Sequence, residues 1–175
     1  MTSAVVVCSG CRNFVNADLI ARGLSPLDAD AAAAQAGRIF LQQIRNQIQA
    51  RADFGFETTL AGLGYVRWFK GMKASGFRIR LYYLWLPDVS LALKRIENRV
   101  RLGGHDVPAD VVRRRYGRGL RNFFARYLPL ADYAAIFDNR TQDPILVFER
   151  IEGRDTIART DVFEDVRKRR QEENA

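Results

Sequence analysis

Two apolar stretches of the sequence end in polar side chains that are suited to handling a hydroxyl group. The stretch that begins at Phe14 ends at Asp18. The stretch that begins at Asp53 ends in Glu57, Thr58 and Thr59. Both have the composition of short strands. A carboxylate beside a substrate hydroxyl can accept its proton, so Asp18 is the candidate catalytic base.

A concentration of arginine provides the second chemical signal. The net charge is +8, and residues 94–126 hold ten basic and three acidic side chains. Arginine binds phosphate through a two-pronged fork, whereas lysine is a point charge. The candidate phosphate-binding residues are Arg99, Arg101, Arg115 and Arg118. Gly103-Gly104 would be the hinge of a lid that carries them. The alternative is an arginine-rich composition with a solvated helix face.

Strands alternate with helices along the chain, which predicts an α/β fold with a mostly parallel sheet. In such sheets the ligand crevice lies beyond the carboxyl ends of the strands. Asp18 and Glu57 are therefore expected to share one crevice. The expected strands are 14–18, 53–59, 77–86, 133–138 and 145–149, the last two antiparallel. The expected helices are 25–50, 63–73, one from Pro87-Asp88 to the break at Gly103, 108–127 and 160–173.

Composition limits the class of protein. The apolar share is 47% and the charged share 27%, which is a normal globular balance. The longest apolar runs are far shorter than the roughly 20 residues that a membrane span needs. The first residues lack the basic segment of a secretory signal. We therefore expect a cytoplasmic protein with no membrane partner.

Two cysteines stand as Cys8-Ser9-Gly10-Cys11, a spacing that is found in zinc and redox sites. Zinc needs two further ligands, and the single histidine, His105, is far away in the sequence. Free thiols in a reducing compartment are the simpler interpretation, and no metal site is predicted.

Several segments resemble the zeta toxin family of small-molecule kinases, and together they span residues 11–150. The longest is Gly103–Pro108 with Arg113–Tyr116 and Arg118–Leu120. The others are Asn16–Ala21 with Gly23–Pro26, Phe56–Leu60, Leu128–Asp132 and Asp138-Asn139.

The resemblance implies a P-loop kinase fold that uses ATP and magnesium. The family phosphorylates a hydroxyl group of a UDP-N-acetyl sugar, and an antitoxin protein is a possible partner. By the same match Asp18 is the catalytic base, and the lid arginines bind phosphate. Glu57, Thr58 and Thr59 are substrate-binding residues.

One family element is missing from the sequence. The Walker A loop, G-x-x-x-x-G-K-[S/T], occurs nowhere in it, and the first lysine is Lys70. Five residues separate Cys8 from Phe14, too few for a parallel crossover. We expect a remnant or replaced N-terminus over 1–10, a kinase-like domain over 11–150 and a polar, partly helical tail over 151–175. The sheet would then have a gap, or Ala4–Cys8 would fill it in another direction.

Three functions remain open. The chain is a nucleotide-sugar kinase of zeta toxin type, either truncated or a degenerate and inactive relative. Alternatively, it is a non-catalytic module that binds a nucleotide sugar or an antitoxin-like protein. The third possibility is a nucleic-acid binder that uses residues 94–126, although the sequence contains no recognised nucleic-acid motif.

Overall fold

The computed structural model describes residues 3–8, 11, 13–101 and 106–172 of the 175-residue chain. The predicted hinge Gly103-Gly104 and His105 lie outside these ranges. The strands are β1 (Ser3–Cys8), β2 (Asn13–Val15), β3 (Phe54–Thr58), β4 (Ile79–Trp85), β5 (Tyr133–Asp138), β6 (Ile145–Ile151) and β7 (Arg154–Ile157). The α-helices are α1 (Ala17–Leu24), α2 (Ala33–Gln49), α3 (Gly64–Ala74), α4 (Val89–Arg101), α5 (Ala109–Asn122) and α6 (Thr160–Glu172).

The strands form one sheet in the order β2-β3-β1-β4-β5-β6-β7. The α/β class is confirmed, but the sheet is mixed rather than mostly parallel. Among the described strands, only the β2–β3 and β4–β5 pairs are parallel. The other neighbours are antiparallel. Even so, β2, β3, β4 and β5 run in one direction, so their carboxyl ends lie at the same edge of the sheet.

Strand β1 occupies the middle of the sheet and runs against both of its neighbours. Ser3 pairs with Leu84 and Cys8 with Ile79, so β1 ends at the amino edge of β4. Strand β2 begins at the same edge, because Asn13 pairs with Phe54 at the start of β3. Four residues connect β1 to β2, which suits a reversal, whereas a parallel crossover needs about a dozen or more. Of the two alternatives that the sequence left open, the structure shows the second, in which this segment fills the gap in another direction.

The helices α2, α3 and α6 pack on one face of the sheet. Phe56 contacts the rings of Phe40 and Phe69, with centroids 6.1 and 6.4 Å away. Phe148 stacks on Phe163 of α6 at 5.2 Å. The same face also receives a π-helical turn, Phe123–Tyr127, that continues α5. The other face carries the ring of Tyr82. Within the described ranges, no helix is both long and apolar enough to cross a membrane.

Two predicted boundaries near the candidate base are wrong. The strand expected to reach Asp18 ends at Val15, because the Asn16 side chain caps α1 and accepts hydrogen bonds from the backbone N–H groups of Asp18 and Leu19 at 2.8 and 3.1 Å. Asp18 therefore lies in the first turn of a helix. The next helix begins at Ala33 rather than near residue 25, since the intervening residues form turns.

The expected polar tail contributes to the core. Strand β7 extends the sheet beside β6, and α6 buries Val162, Phe163 and Val166. These apolar residues lie on one side of a helix whose other positions are mostly charged. Because the segment is polar on average, the sequence analysis did not identify this apolar face. Residues 151–172 are part of the same folded unit as the rest of the described chain.

Truncation of this helix should destabilise the whole protein. Phe163→Ala removes a ring that is 8% exposed and stacked on Phe148, so we expect a loss of about 3–5 kcal/mol in the free energy of unfolding. Urea unfolding followed by circular dichroism measures it. Ile157→Ala, at a side chain that is 47% exposed, is the control and should change stability by at most about 0.5 kcal/mol. Equal effects of the two substitutions would show that α6 is not packed on the core.

Candidate functional site

A cavity of about 770 Å³ opens at the carboxyl ends of β2 and β3. Its walls are the start of α1, the middle of α2, the loop after β3 and one side of α5. The predicted site residues that line it are Asp18, Glu57, Thr58, Thr59, Arg115 and Arg118. Arg99 reaches the cavity only through Asp18, and Arg101 does not line it.

The acidic wall is organised by Asn16. Its side-chain oxygen caps α1, and its Nδ2 donates a hydrogen bond to Glu57 Oε2 at 3.3 Å. Asn16 thus joins the ends of β2 and β3 and holds both carboxylates on one side of the cavity. Asp18 Oδ2 lies 3.5 Å from Arg99 Nη1, yet the Asp18 side chain is 54% exposed. Its carboxylate is therefore accessible to a ligand.

Arginines from two helices also line the cavity. Arg114, Arg115 and Arg118 project from α5, and Arg38 projects from α2. Arg114 and Arg118 are one helical turn apart, so their guanidinium groups can bind one ligand together. All four side chains are exposed. With two carboxylates and four guanidinium groups, the wall residues carry a net positive charge, which favours an anionic ligand that also has hydroxyl groups.

The two remaining predicted arginines differ. Arg99 lies on α4 and pairs with the candidate base. Arg101, at the end of the same helix, is exposed and donates a hydrogen bond to Asn98 Oδ1. The structure thus separates Arg101 from the other candidates, because its position on α4 directs it away from the cavity lining.

The Thr58 hydroxyl interacts with other residues of the protein. Its oxygen accepts a hydrogen bond from the backbone N–H of Leu60 at 3.2 Å. Burial raises the pKa of the neighbouring Tyr65 above its ordinary value, and hydrogen bonding from Thr58 partly offsets that rise. Thr58 therefore lies in the predicted place, but its hydroxyl is engaged by the loop that follows β3 and by Tyr65.

That loop is held in place by α5 and the π-helical turn. Asn122 is buried, and its Nδ2 donates hydrogen bonds to the carbonyl oxygens of Leu60 and Ala61 at 2.8 and 3.1 Å. The Tyr127 hydroxyl donates to the Gly62 carbonyl, and burial raises the pKa of Tyr127 to about 12. Leu60 has a φ of 55°, a conformation that non-glycine residues adopt rarely. These bonds to side chains stabilise it.

Gly119 allows α5 to approach this loop. A Cβ atom at position 119 would lie 2.5 Å from the Thr59 carbonyl oxygen. Such a distance is a severe overlap, so α5 can pack here only because residue 119 has no side chain. The contact is one residue away from Arg118 in the sequence. It therefore sets the distance between the basic wall and the polar end of β3.

The described residues do not fit the ATP site that the family resemblance implies. A P-loop must follow a strand at the carboxyl edge of the sheet, where its amide groups meet the phosphates. Strand β1 ends at the opposite edge, beside Ile79. Within the described ranges, no group of three or more His, Cys, Asp or Glu residues is placed to hold a metal ion. No phosphate-transfer step through ATP is therefore derived from this geometry.

Sequence reasoning missed four polar residues that line the cavity, Asn16, Arg38, Tyr65 and Arg114. Asn16 carried a signal, because asparagine before a helix is a typical cap. Arg114 carried one too, since it lies four residues before Arg118. Arg38 and Tyr65 carried no such sequence signal, because only the packing of α2 and α3 in the folded protein places them at the cavity. Cys11 of the cysteine pair donates its thiol hydrogen to the Asn13 carbonyl at 3.2 Å.

The contact at Gly119 can be tested with a matched pair of substitutions. Gly119→Ala forces a methyl group onto the Thr59 carbonyl, so we expect a loss of about 1–3 kcal/mol in unfolding free energy. Gly71→Ala, in α3 with open space around it, should raise stability by about 0.5–1 kcal/mol through better helix propensity. Urea unfolding of both variants measures the two values. Tolerance of Ala at both positions would contradict the close approach of α5.

A relative of this chain is found in Haemophilus influenzae. The chain is 32% identical over 102 residues to an uncharacterized protein from Haemophilus influenzae. The match covers 58% of this chain and 73% of that protein. No protein-family model matches the sequence, and no solved structure matches it.

Proposed function

The chain belongs to the same family as this Haemophilus influenzae protein, and we propose that it binds a nucleotide sugar, as the acceptor-substrate half of a kinase of zeta toxin type. The observation that carries the proposal is the cavity itself. It combines two carboxylates with four arginines at the carboxyl edge of β2 and β3.

The arginines suit the diphosphate of such a ligand. Arg114 and Arg118 offer two planar guanidinium groups from one side of α5, and each can donate paired hydrogen bonds to phosphate oxygens. Arg38 approaches from α2. These guanidinium groups are exposed, so a phosphate can reach them from solvent.

The carboxylates suit the sugar. Asp18 and Glu57 accept hydrogen bonds but cannot donate them when ionised, and sugar hydroxyl groups are donors. The bridge from Asn16 to Glu57 fixes the second carboxylate. Asp18 then accepts a hydrogen bond from a sugar hydroxyl in the bound state. Its role as catalytic base stays a prediction.

The same arrangement disfavours the nucleic-acid function. A nucleic-acid backbone that followed the arginines into the cavity would bring phosphates toward Asp18 and Glu57, and like charges repel. A small ligand with phosphate at one end and hydroxyl groups at the other matches both walls. We therefore favour the nucleotide sugar.

Isothermal titration calorimetry with UDP-N-acetylglucosamine tests the proposal. We expect saturable heat for the unaltered protein and an affinity lower by about tenfold or more for Arg118→Gln, because a charge-assisted bond to phosphate is lost. Arg113→Gln is the matched control, since Arg113 lies on the same helix but does not line the cavity. Absence of heat at millimolar ligand, or equal losses in the two variants, would contradict the proposal.

Asp18→Asn separates sugar contact from phosphate binding. The amide keeps an oxygen that accepts a hydrogen bond, and removing a negative charge favours the diphosphate. We therefore expect the affinity for UDP-N-acetylglucosamine to stay within about threefold of that of the unaltered protein. The same titration measures it. A loss as large as that of Arg118→Gln would show that Asp18 is a main source of binding energy.

A further inference from the structure

Tyr65 is a feature of the cavity that neither the sequence motifs nor the family resemblance assigns. It is the second residue of α3, which follows the loop that α5 holds in place, and it lines the cavity. The residue is half-buried, so part of the side chain is accessible from the cavity. Two tyrosines flank this loop, and they differ in how their hydroxyl groups are used.

The Tyr127 hydroxyl is committed to the fold, because it donates its hydrogen to the Gly62 carbonyl. In the residues that the structure describes, the Tyr65 hydroxyl forms no hydrogen bond to a backbone carbonyl. The neighbouring Thr58 oxygen already accepts the backbone N–H of Leu60 at 3.2 Å. The Tyr65 hydroxyl can therefore donate its hydrogen to a group in the cavity that this residue lines.

The ring of Tyr65 is held in a defined orientation. Its centroid lies 5.5 Å from that of Phe56 and 5.7 Å from that of Trp68, the latter in an edge-to-face arrangement. Arg45 lies over the Trp68 ring at 5.8 Å and completes the stack. A hydroxyl on a ring fixed on two sides loses little freedom on binding, which makes it an effective donor to a ligand.

We infer that Tyr65 is a specificity-determining residue whose hydroxyl donates a hydrogen bond to an uncharged carbonyl oxygen of the bound nucleotide sugar. This inference rests on the proposed function. The arginines on α2 and α5 bind the phosphate groups, so the neutral tyrosine binds the uncharged part of the ligand. A carbonyl oxygen only accepts hydrogen bonds, and it therefore matches a hydroxyl group that donates its hydrogen. The N-acetyl group and the pyrimidine base both supply such an oxygen.

The test compares Tyr65→Phe with the unaltered protein in calorimetric titrations of UDP-N-acetylglucosamine, UDP-glucose and UDP. The phenylalanine ring keeps the contacts with Phe56 and Trp68, so only the hydroxyl is lost. We expect the affinity for UDP-N-acetylglucosamine to fall about fivefold. An effect confined to that ligand assigns the bond to the N-acetyl group, and an equal effect on all three assigns it to the base.

Tyr82→Phe is the matched control, because it removes a tyrosine hydroxyl from the opposite face of the sheet, outside the cavity lining. It should leave all three affinities unchanged. Equal affinities of Tyr65→Phe and the unaltered protein for every ligand overturn this inference and leave the proposed function standing. Failure of the unaltered protein to bind any of the three overturns the proposed function, and this inference with it.

Discussion

The site depends on the close packing of α5 against the loop after β3. Gly119 makes that contact possible, because a side chain at this position would overlap the Thr59 carbonyl. Asn122 and Tyr127 then supply hydrogen bonds to three successive carbonyl groups of the loop. The loop is stabilised in a conformation that Leu60 would otherwise adopt rarely. The helix that carries the cavity arginines is thereby held at a fixed distance from the polar end of β3.

The direction of β1 is the second constraint. It lies between β3 and β4, the central place in the sheet, but it runs opposite to both. The backbone hydrogen bonds of its neighbours are satisfied, so the sheet is continuous across this position. The end of β1 is at the amino edge, far from Asp18 and Glu57. Strand β1 therefore keeps the sheet continuous. It does not lead into a phosphate-binding turn, because such a turn would have to follow a strand at the carboxyl edge.

The opposite charges at the cavity come from different elements of the fold. The carboxylates come from the ends of β2 and β3, whereas the arginines come from α2, α4 and α5. The ion pair of Asp18 with Arg99 is 3.5 Å long and partly exposed, so solvent screens it. A ligand that supplies phosphate to the arginines and hydroxyl groups to the carboxylates satisfies both walls at once.

Much of the architecture was predictable from local pattern. Alternating burial in β4 and the cap that Asp88 provides for α4 follow from sequence signals, because each depends on neighbours within a few residues. The start of α2 was not predictable, since Ser25-Pro26 is typical of a helix start, yet Ser25 follows the end of α1 and α2 begins only at Ala33. The packing of α6 was hidden by its charged residues. Contacts between residues far apart in the sequence decided both the start of α2 and the packing of α6, and local helix propensity predicts such features poorly.

By itself the sequence determined the α/β class, most of the strands and helices, and the presence of carboxylates and arginines suited to a phosphorylated ligand. The tertiary structure alone decided which of them meet. It reversed β1, brought Arg38, Tyr65 and Arg114 into the cavity and left Arg101 outside it. The physical reason is that spacing along a helix fixes only the relative angles of side chains. The side of the helix that faces a cavity is decided by packing, here at Gly119 of α5, where a side chain does not fit.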